Sequence, residues 1–344
     1  MHAKQSSMWT GLLVTFLVGG APTIASAQIT TDQPGALLIY PKVVVDGTRD
    51  TIVHISNASG NRVIVRCFYT SQVTDAASGE LAWLTVDFRI GLTRLQPTVW
   101  LASGGRPVTP TDRPPELEPG PVPPLAAGFI GELRCVVVND AEQPISRNVL
   151  TGDATIVDRS SGEVRRYQAI SIRGLPRNNR DSVLLLNNVE YSTCPRMLLL
   201  NHFFDDAIDP VLSTRVRTTI TIAPCSIDYE RNAPGTASLQ FDVVNEFEQR
   251  LSATLPVRCF IDTTLAGIDS RADPSRSIFN VAIQGTLVGQ TRIRPVPDGD
   301  ATRGHGVIAI AEEFHDAPRA GTAINLHFIP GNLQGDVVVL PGLF

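Results

Sequence analysis

The stretch 202–209 holds His202, Asp205, Asp206 and Asp209, the most ligand-like group of side chains in this chain. Carboxylate oxygens suit calcium, and an imidazole nitrogen beside them opens zinc chemistry. The Asp-x-Asp-x-Asp-Gly order of a calcium loop is absent. The group also follows the apolar run Leu198-Leu199-Leu200-Asn201-His202-Phe203-Phe204, where a polar boundary is expected in any case. These four residues therefore read either as a calcium or zinc site or as a charged turn between domains. A second polar group, Glu312, Glu313, His315 and Asp316, lacks the His-Glu-x-x-His order of zinc proteases and reads as a solvated turn after a strand at 306–311. Asp298-Gly299-Asp300 is half a calcium loop, in a composition that ordinary turns share.

Other chemistries need residues that this chain lacks. The sequence has two lysines, Lys4 and Lys42, so no Gly-Lys-Ser/Thr phosphate loop exists. Ser-x-x-Lys acyl transfer is excluded too, because Ile39 stands three residues before Lys42. There is no Gly-x-Ser-x-Gly elbow, and Ser103, ahead of Gly104-Gly105, has no base beside it in sequence. His54 lies on a strand face, and His305 and His327 stand alone. Trp83 and Trp100 offer a sugar platform or, more simply, core packing. The formal charge of −5 does not favour nucleic acid or anionic lipid as a partner.

Five cysteines, Cys67, Cys135, Cys194, Cys225 and Cys259, leave one over if the rest pair. The N-terminus bears on that pairing. His2 and Lys4 precede an apolar stretch at 8–20, too short for a good membrane span, and Ala25-Ser26-Ala27 fits a small-x-small cleavage site. Residues 1–27 thus read as a secretory signal, and an exported chain meets oxidising conditions in which cysteines pair. The expected bonds are Cys67–Cys135 and Cys225–Cys259, each inside one domain and each contributing roughly 3–4.5 kcal/mol by loop entropy. Cys194 is then a free thiol and the centre of a redox alternative, with Cys194–Cys225 as the rival pairing. Arg66, Arg134 and Arg258 each precede a cysteine and are expected to point outward from their sheets.

The elements that position these residues read as strands. Val65-Arg66-Cys67-Phe68 returns as Val257-Arg258-Cys259-Phe260, with each cysteine on the inward face of a strand. Short alternating runs separated by Gly, Pro, Asn and Asp fill the chain, and sustained helical periodicity is almost absent. The run at 36–45 is near-continuously apolar around Pro41, an edge or bent strand. The expected fold is all-β, two antiparallel immunoglobulin-like β-sandwich domains after the signal. Domain one spans 28–208, with a proline-rich loop at 104–124, and domain two spans 209–344. A terminal Phe344 also occurs in outer-membrane barrels, but Pro341 and Gly342 interrupt the alternation that a barrel strand needs.

The runs Gly131-Glu132-Leu133-Arg134-Cys135, Asn201-His202-Phe203-Phe204-Asp205 and Asn245-Glu246-Phe247-Glu248 resemble those of a group of uncharacterised exported bacterial β-sandwich proteins, over most of the chain. The resemblance implies a shared fold and export, and it carries over no catalytic residue. The expectation is an exported structural or binding module of the periplasm, cell surface or extracellular space. Its partner there is unidentified, and the proline-rich loop and the 245–250 turn are the surfaces it would use. The alternatives are a metal-dependent hydrolase or calcium-dependent carbohydrate binder using the 202–209 group, and a thiol-redox protein using Cys194.

Overall fold

The structure, a computed structural model, describes residues 29–74, 81–106, 119–176, 181–296, 305–316, 320–329 and 335–342. The predicted signal, most of the proline-rich loop, Asp298-Gly299-Asp300 and Phe344 lie outside the described residues.

Among the described residues the fold is all-β, with three single-turn helices at Ala266–Ile268, Pro274–Arg276 and Val281–Gln284 and five sheets. In spatial order, the first holds Leu81–Leu92, Val63–Thr74, Phe129–Val138, Leu37–Val45 and Ile170–Ile172. The second holds Pro97–Leu101, Arg49–Asn57, Leu150–Asp158 and Val164–Gln168. The third is a small sheet of Val183–Leu186, Asp336–Val339 and Ile227–Asp228. The fourth holds Arg250–Arg258, Thr236–Asn245, Val288–Val296, Met197–Phe203 and His327–Ile329. The fifth holds Ile261–Thr264, Val216–Pro224, Val307–His315 and Ala320–Asn325.

This is not the pair of separate immunoglobulin-like sandwiches expected, and the reason lies in the first sheet. One of its faces, with Val65, Cys67, Tyr69, Leu133 and Val137, packs on Val53, Ile55, Ala154 and Ile156 of the second sheet. Its other face, with Leu37, Ile39, Phe68, Val136 and Val138, packs on Leu184, Ile227 and Val338 of the third. A strand covered on both sides reads as a continuous apolar run rather than an alternating one. That explains Leu37–Val45, which is buried throughout. It sits inside the sheet rather than at its edge, and its register shifts between Tyr40 and Val43, around Pro41.

Strand pairing crosses the expected 208/209 division. Met197–Phe203 pairs with Val288–Val296 and His327–Ile329, so it belongs to the fourth sheet. The third sheet mixes strands from both sides of that boundary. A third core, around Leu198, Leu200, Phe241, Ile293 and Ala309, lies between the fourth and fifth sheets.

Cys67 lies directly opposite Cys135 in register and bonds to it, with Cα atoms 4.1 Å apart. The second bond is Cys194–Cys225, not Cys225–Cys259. Cys194 follows the Val183–Leu186 strand and enters the shared core beside Cys225. Cys259 instead leaves its strand at φ 65° and gives its N–H to the Gly235 carbonyl, so its buried thiol is free. The thiol-redox assignment of Cys194 fails with that bond, and burial pushes the Cys259 thiol well up from its ordinary range, leaving a poor nucleophile.

The expected outward arginines divide. Arg258 is exposed, over the Trp83 ring. Arg66 and Arg134 are buried because their face of the first sheet is covered. Arg66 pairs with Asp87 and Glu142. Arg134, 1 % exposed, forks onto Glu132 and donates to the carbonyls of Pro224 and Cys225 across the shared core.

Candidate functional site

A cleft of about 610 Å³ opens at the fourth sheet, and two of the quoted sequence runs meet there. Asn201, His202 and Phe203 come from one strand, and Val244, Asn245 and Glu246 come from the end of the next-but-one. The strand between them, Val288–Val296, supplies Val288, Gly289, Gln290 and Arg292, and Glu313 reaches in from the fifth sheet. Strand alternation sorts these side chains. His202 is buried, whereas Asn201 and Phe203 take the opposite face. Register sets Asn201 against Gln290 and Gln290 against Val244, with Phe203 against Val288 in the next row.

A polar ladder results. Arg292 Nε donates to Gln290 Oε1 at 3.3 Å, and Gln290 Nε2 donates to Asn201 Oδ1 at 3.1 Å. The Asn201 amide nitrogen and the guanidinium Nη atoms of Arg292 have no protein partner among the described residues. The turn beside the ladder is fixed by Asn245, whose Oδ1 accepts from the N–H groups of Phe247 and Gln249 and whose Nδ2 reaches Gln249 and Gln284. The turn is tied to the neighbouring loop by a hydrogen bond from the Thr286 hydroxyl to Glu246. Phe247 stands at its tip, 67 % exposed. Below the ladder, Gly289 leaves room for the Phe204 ring, which a Cβ there would overlap.

The structure separates the predicted metal ligands. His202 is bonded at both ring nitrogens, to the Phe203 carbonyl and the Thr291 hydroxyl, each at 2.8 Å. Burial brings its pKa down to about 4, so the ring is neutral. Asp205 accepts from the N–H groups of Thr218 and Ala266, and burial carries its pKa up to about 6 despite them. Asp206 takes the Asn280 amide, and Asp209 caps Val211 and faces His315 Nδ1 at 3.2 Å. Each serves a separate turn or strand end. Among the described residues the one geometrically close ligand set is Cys194, Cys225 and Asp336, whose sulfurs are spent in the disulfide.

The second predicted cluster is likewise dispersed. Glu313 pairs with His315 Nε2 at 3.2 Å, and Nδ1 lies beside Asp209 without a hydrogen-bond partner among the described residues. Asp316 pairs with Arg217. Glu312 is buried and holds Lys42 and Arg165. Lys42 also holds Asp262, at 2.8 Å, and Arg165 holds Glu163 and lies over the Phe314 ring. This buried network joins the first two sheets to the fifth. Above it lies a second cleft of about 910 Å³, whose walls include the ion pairs Asp46–Arg49 and Arg217–Asp316. Ser103, considered above as a nucleophile, hydrogen-bonds to Asp50. Trp100 is a core residue whose indole N–H donates to Tyr69.

Sequence reasoning missed Gln290 and Arg292. The signal was present in Val288–Val296, where Gln290, Arg292 and Arg294 alternate with Thr291 and Ile293 and mark an uncovered sheet face.

No protein-family model matches the chain, and no curated protein is detectably similar to it. Among solved structures, red sea bream transglutaminase aligns with 85 % of this chain and 31 % of its own, at 10 % identity and a TM-score of 0.13. The chain thus spans about a third of that enzyme, and a likeness so weak carries no argument about fold or activity.

Proposed function

We propose that the protein is an exported, non-catalytic binding module of the cell envelope or exterior that presents the 610 Å³ cleft on a fixed β frame. One observation carries the reading: residues 201–203 and 244–246, distant in sequence, are brought side by side around a polar cleft with uncommitted donors. His202, which lines it, is bonded at both ring nitrogens, an arrangement suited to holding a ligand rather than transforming one. Two disulfides agree with an oxidising destination. Among the described residues no helix is long and apolar enough to cross a membrane. A frame of paired and shared sheet faces, sandwich-like in its layering, keeps the cleft rigid without a metal.

The test is labelled protein lacking residues 1–27, added to cells of the producing organism. Wild type is expected to decorate the cells, and the Asn201→Ala/Arg292→Ala variant, altered only at exposed side chains, to lose most of that signal. Equal labelling by both rejects the cleft as the binding surface. Turnover of ester, peptide or glycoside substrates by wild type rejects the non-catalytic reading.

A further inference from the structure

We infer that the cleft takes a neutral saccharide, bound without a metal ion, with Arg292, Gln290, Asn201 and Glu246 meeting its hydroxyls and Phe203 and Val288 its carbon-hydrogen faces. This rests on the binding-module reading and names the ligand class.

The polar chemistry comes first. A pair of vicinal sugar hydroxyls offers two donors and two acceptors at close spacing. Planar amide and guanidinium groups match that spacing, as carboxylates do, because each carries two polar atoms in a fixed plane. Arg292, Gln290 and Asn201 form such a row, already pre-set by their mutual hydrogen bonds, with free donors at both ends. Pre-setting removes side-chain entropy that binding would otherwise cost. Glu246, exposed at the same cleft, supplies an acceptor.

Charge then selects against other ligands. The cleft's ionised groups are Arg292, Glu246 and Glu313, and Glu313 is engaged by His315. His202 is neutral. One cation thus stands against two carboxylates, a lining that gives an acidic ligand no excess of positive charge. The 910 Å³ cleft differs, since its arginines and acids are paired with one another.

The apolar parts fit as well. Phe203 and Val288 sit opposite each other in the row beside the ladder, half-exposed. An aromatic edge beside planar polar groups is what an amphipathic pyranose ring requires, and the cleft volume lies within the ~300–1,000 Å³ typical of small-ligand sites.

The experiment uses the protein without residues 1–27, in EDTA. Calorimetric titration with cellotetraose, maltotetraose, chitotetraose and tetragalacturonate runs beside panning of a displayed peptide library. At least one neutral tetrasaccharide is expected to bind with a Kd of roughly 10 µM to 1 mM. Arg292→Ala and Phe203→Ala should each weaken it about tenfold or more. Arg217→Ala, in the other cleft, should leave it unchanged. Binding of tetragalacturonate alone, or binding indifferent to Arg292→Ala and Phe203→Ala, overturns the inference. Peptides that depend on these two residues, with no saccharide bound, overturn it while leaving the binding-module reading in place. Neither ligand class binding removes both.

Discussion

At the scale of single residues, His202 and Asp205 carry opposite shifts within one strand end. The folded His202 ring accepts a proton only near pH 4, against about 6.5 in an unfolded chain. Its contribution to stability is complete above about pH 6.5 and disappears as pH falls toward 4. Asp205 stays protonated up to about pH 6 when folded, against about 3.9 unfolded. Its contribution is complete below about pH 4 and disappears as pH rises through 6. Between roughly pH 4.5 and 6 the two slopes oppose each other, each about 1.4 kcal/mol per pH unit at most. Urea unfolding across that window tests this. Asp205→Asn should make stability fall more steeply on acidification than in wild type, and His202→Gln should make it rise relative to wild type. Parallel curves for all three proteins would refute the assignment. The residue types at 202–209 were legible in the sequence. Their roles were not, because a buried histidine satisfied by Thr291, 89 positions away, looks the same in sequence as a ligand.

At the scale of elements, alternation pointed to strands, and the Val65-Arg66-Cys67-Phe68 tetrad does lie in one, Val63–Thr74. It could not tell which strands were covered on both faces. Arg66 and Arg134 occupy polar positions in otherwise regular alternation, and a polar position reads as solvent-facing unless a third layer is known. The cysteine pairing failed for a related reason: Cys225 is bonded across the shared core, which no single-sheet pattern announces. Arg134 makes the consequence measurable. It neutralises buried Glu132 and satisfies two carbonyls of the Val216–Pro224 strand end, so Arg134→Met leaves all three unmet. A loss of about 3–5 kcal/mol is expected in urea unfolding. Glu132→Gln in the same chain should recover part of it, since the uncompensated charge is then gone. A loss under ~1 kcal/mol would mean that the guanidinium is not the tie described.

At the scale of the whole molecule, the two halves are fastened in several places. Lys42 bridges to Glu312 and Asp262, and the Asn325 side chain bonds both the N–H and the carbonyl of Gln168, joining the edges of the second and fifth sheets. Calorimetry should therefore give one cooperative transition for wild type. Lys42→Met, which leaves Glu312 to Arg165 alone and takes the cation from Asp262, should lower it and split it into two. A single unsplit transition at unchanged temperature would show that the network does not couple the halves.

The third sheet sets a rule of timing. Its middle strand, Asp336–Val339, pairs with Val183–Leu186 on one side and Ile227–Asp228 on the other, so neither flank has its neighbour until that strand arrives. Emerging from a ribosome or a translocation pore, amino end first, the polypeptide delivers this keystone only after both of its neighbours and every strand of the first sheet. Earlier segments can pair among themselves, but the layer over Leu184 and Ile227 stays incomplete until it arrives. Chains shortened before residue 336 are therefore expected to expose apolar surface and to be cleared as unfinished protein rather than persist as a smaller working form.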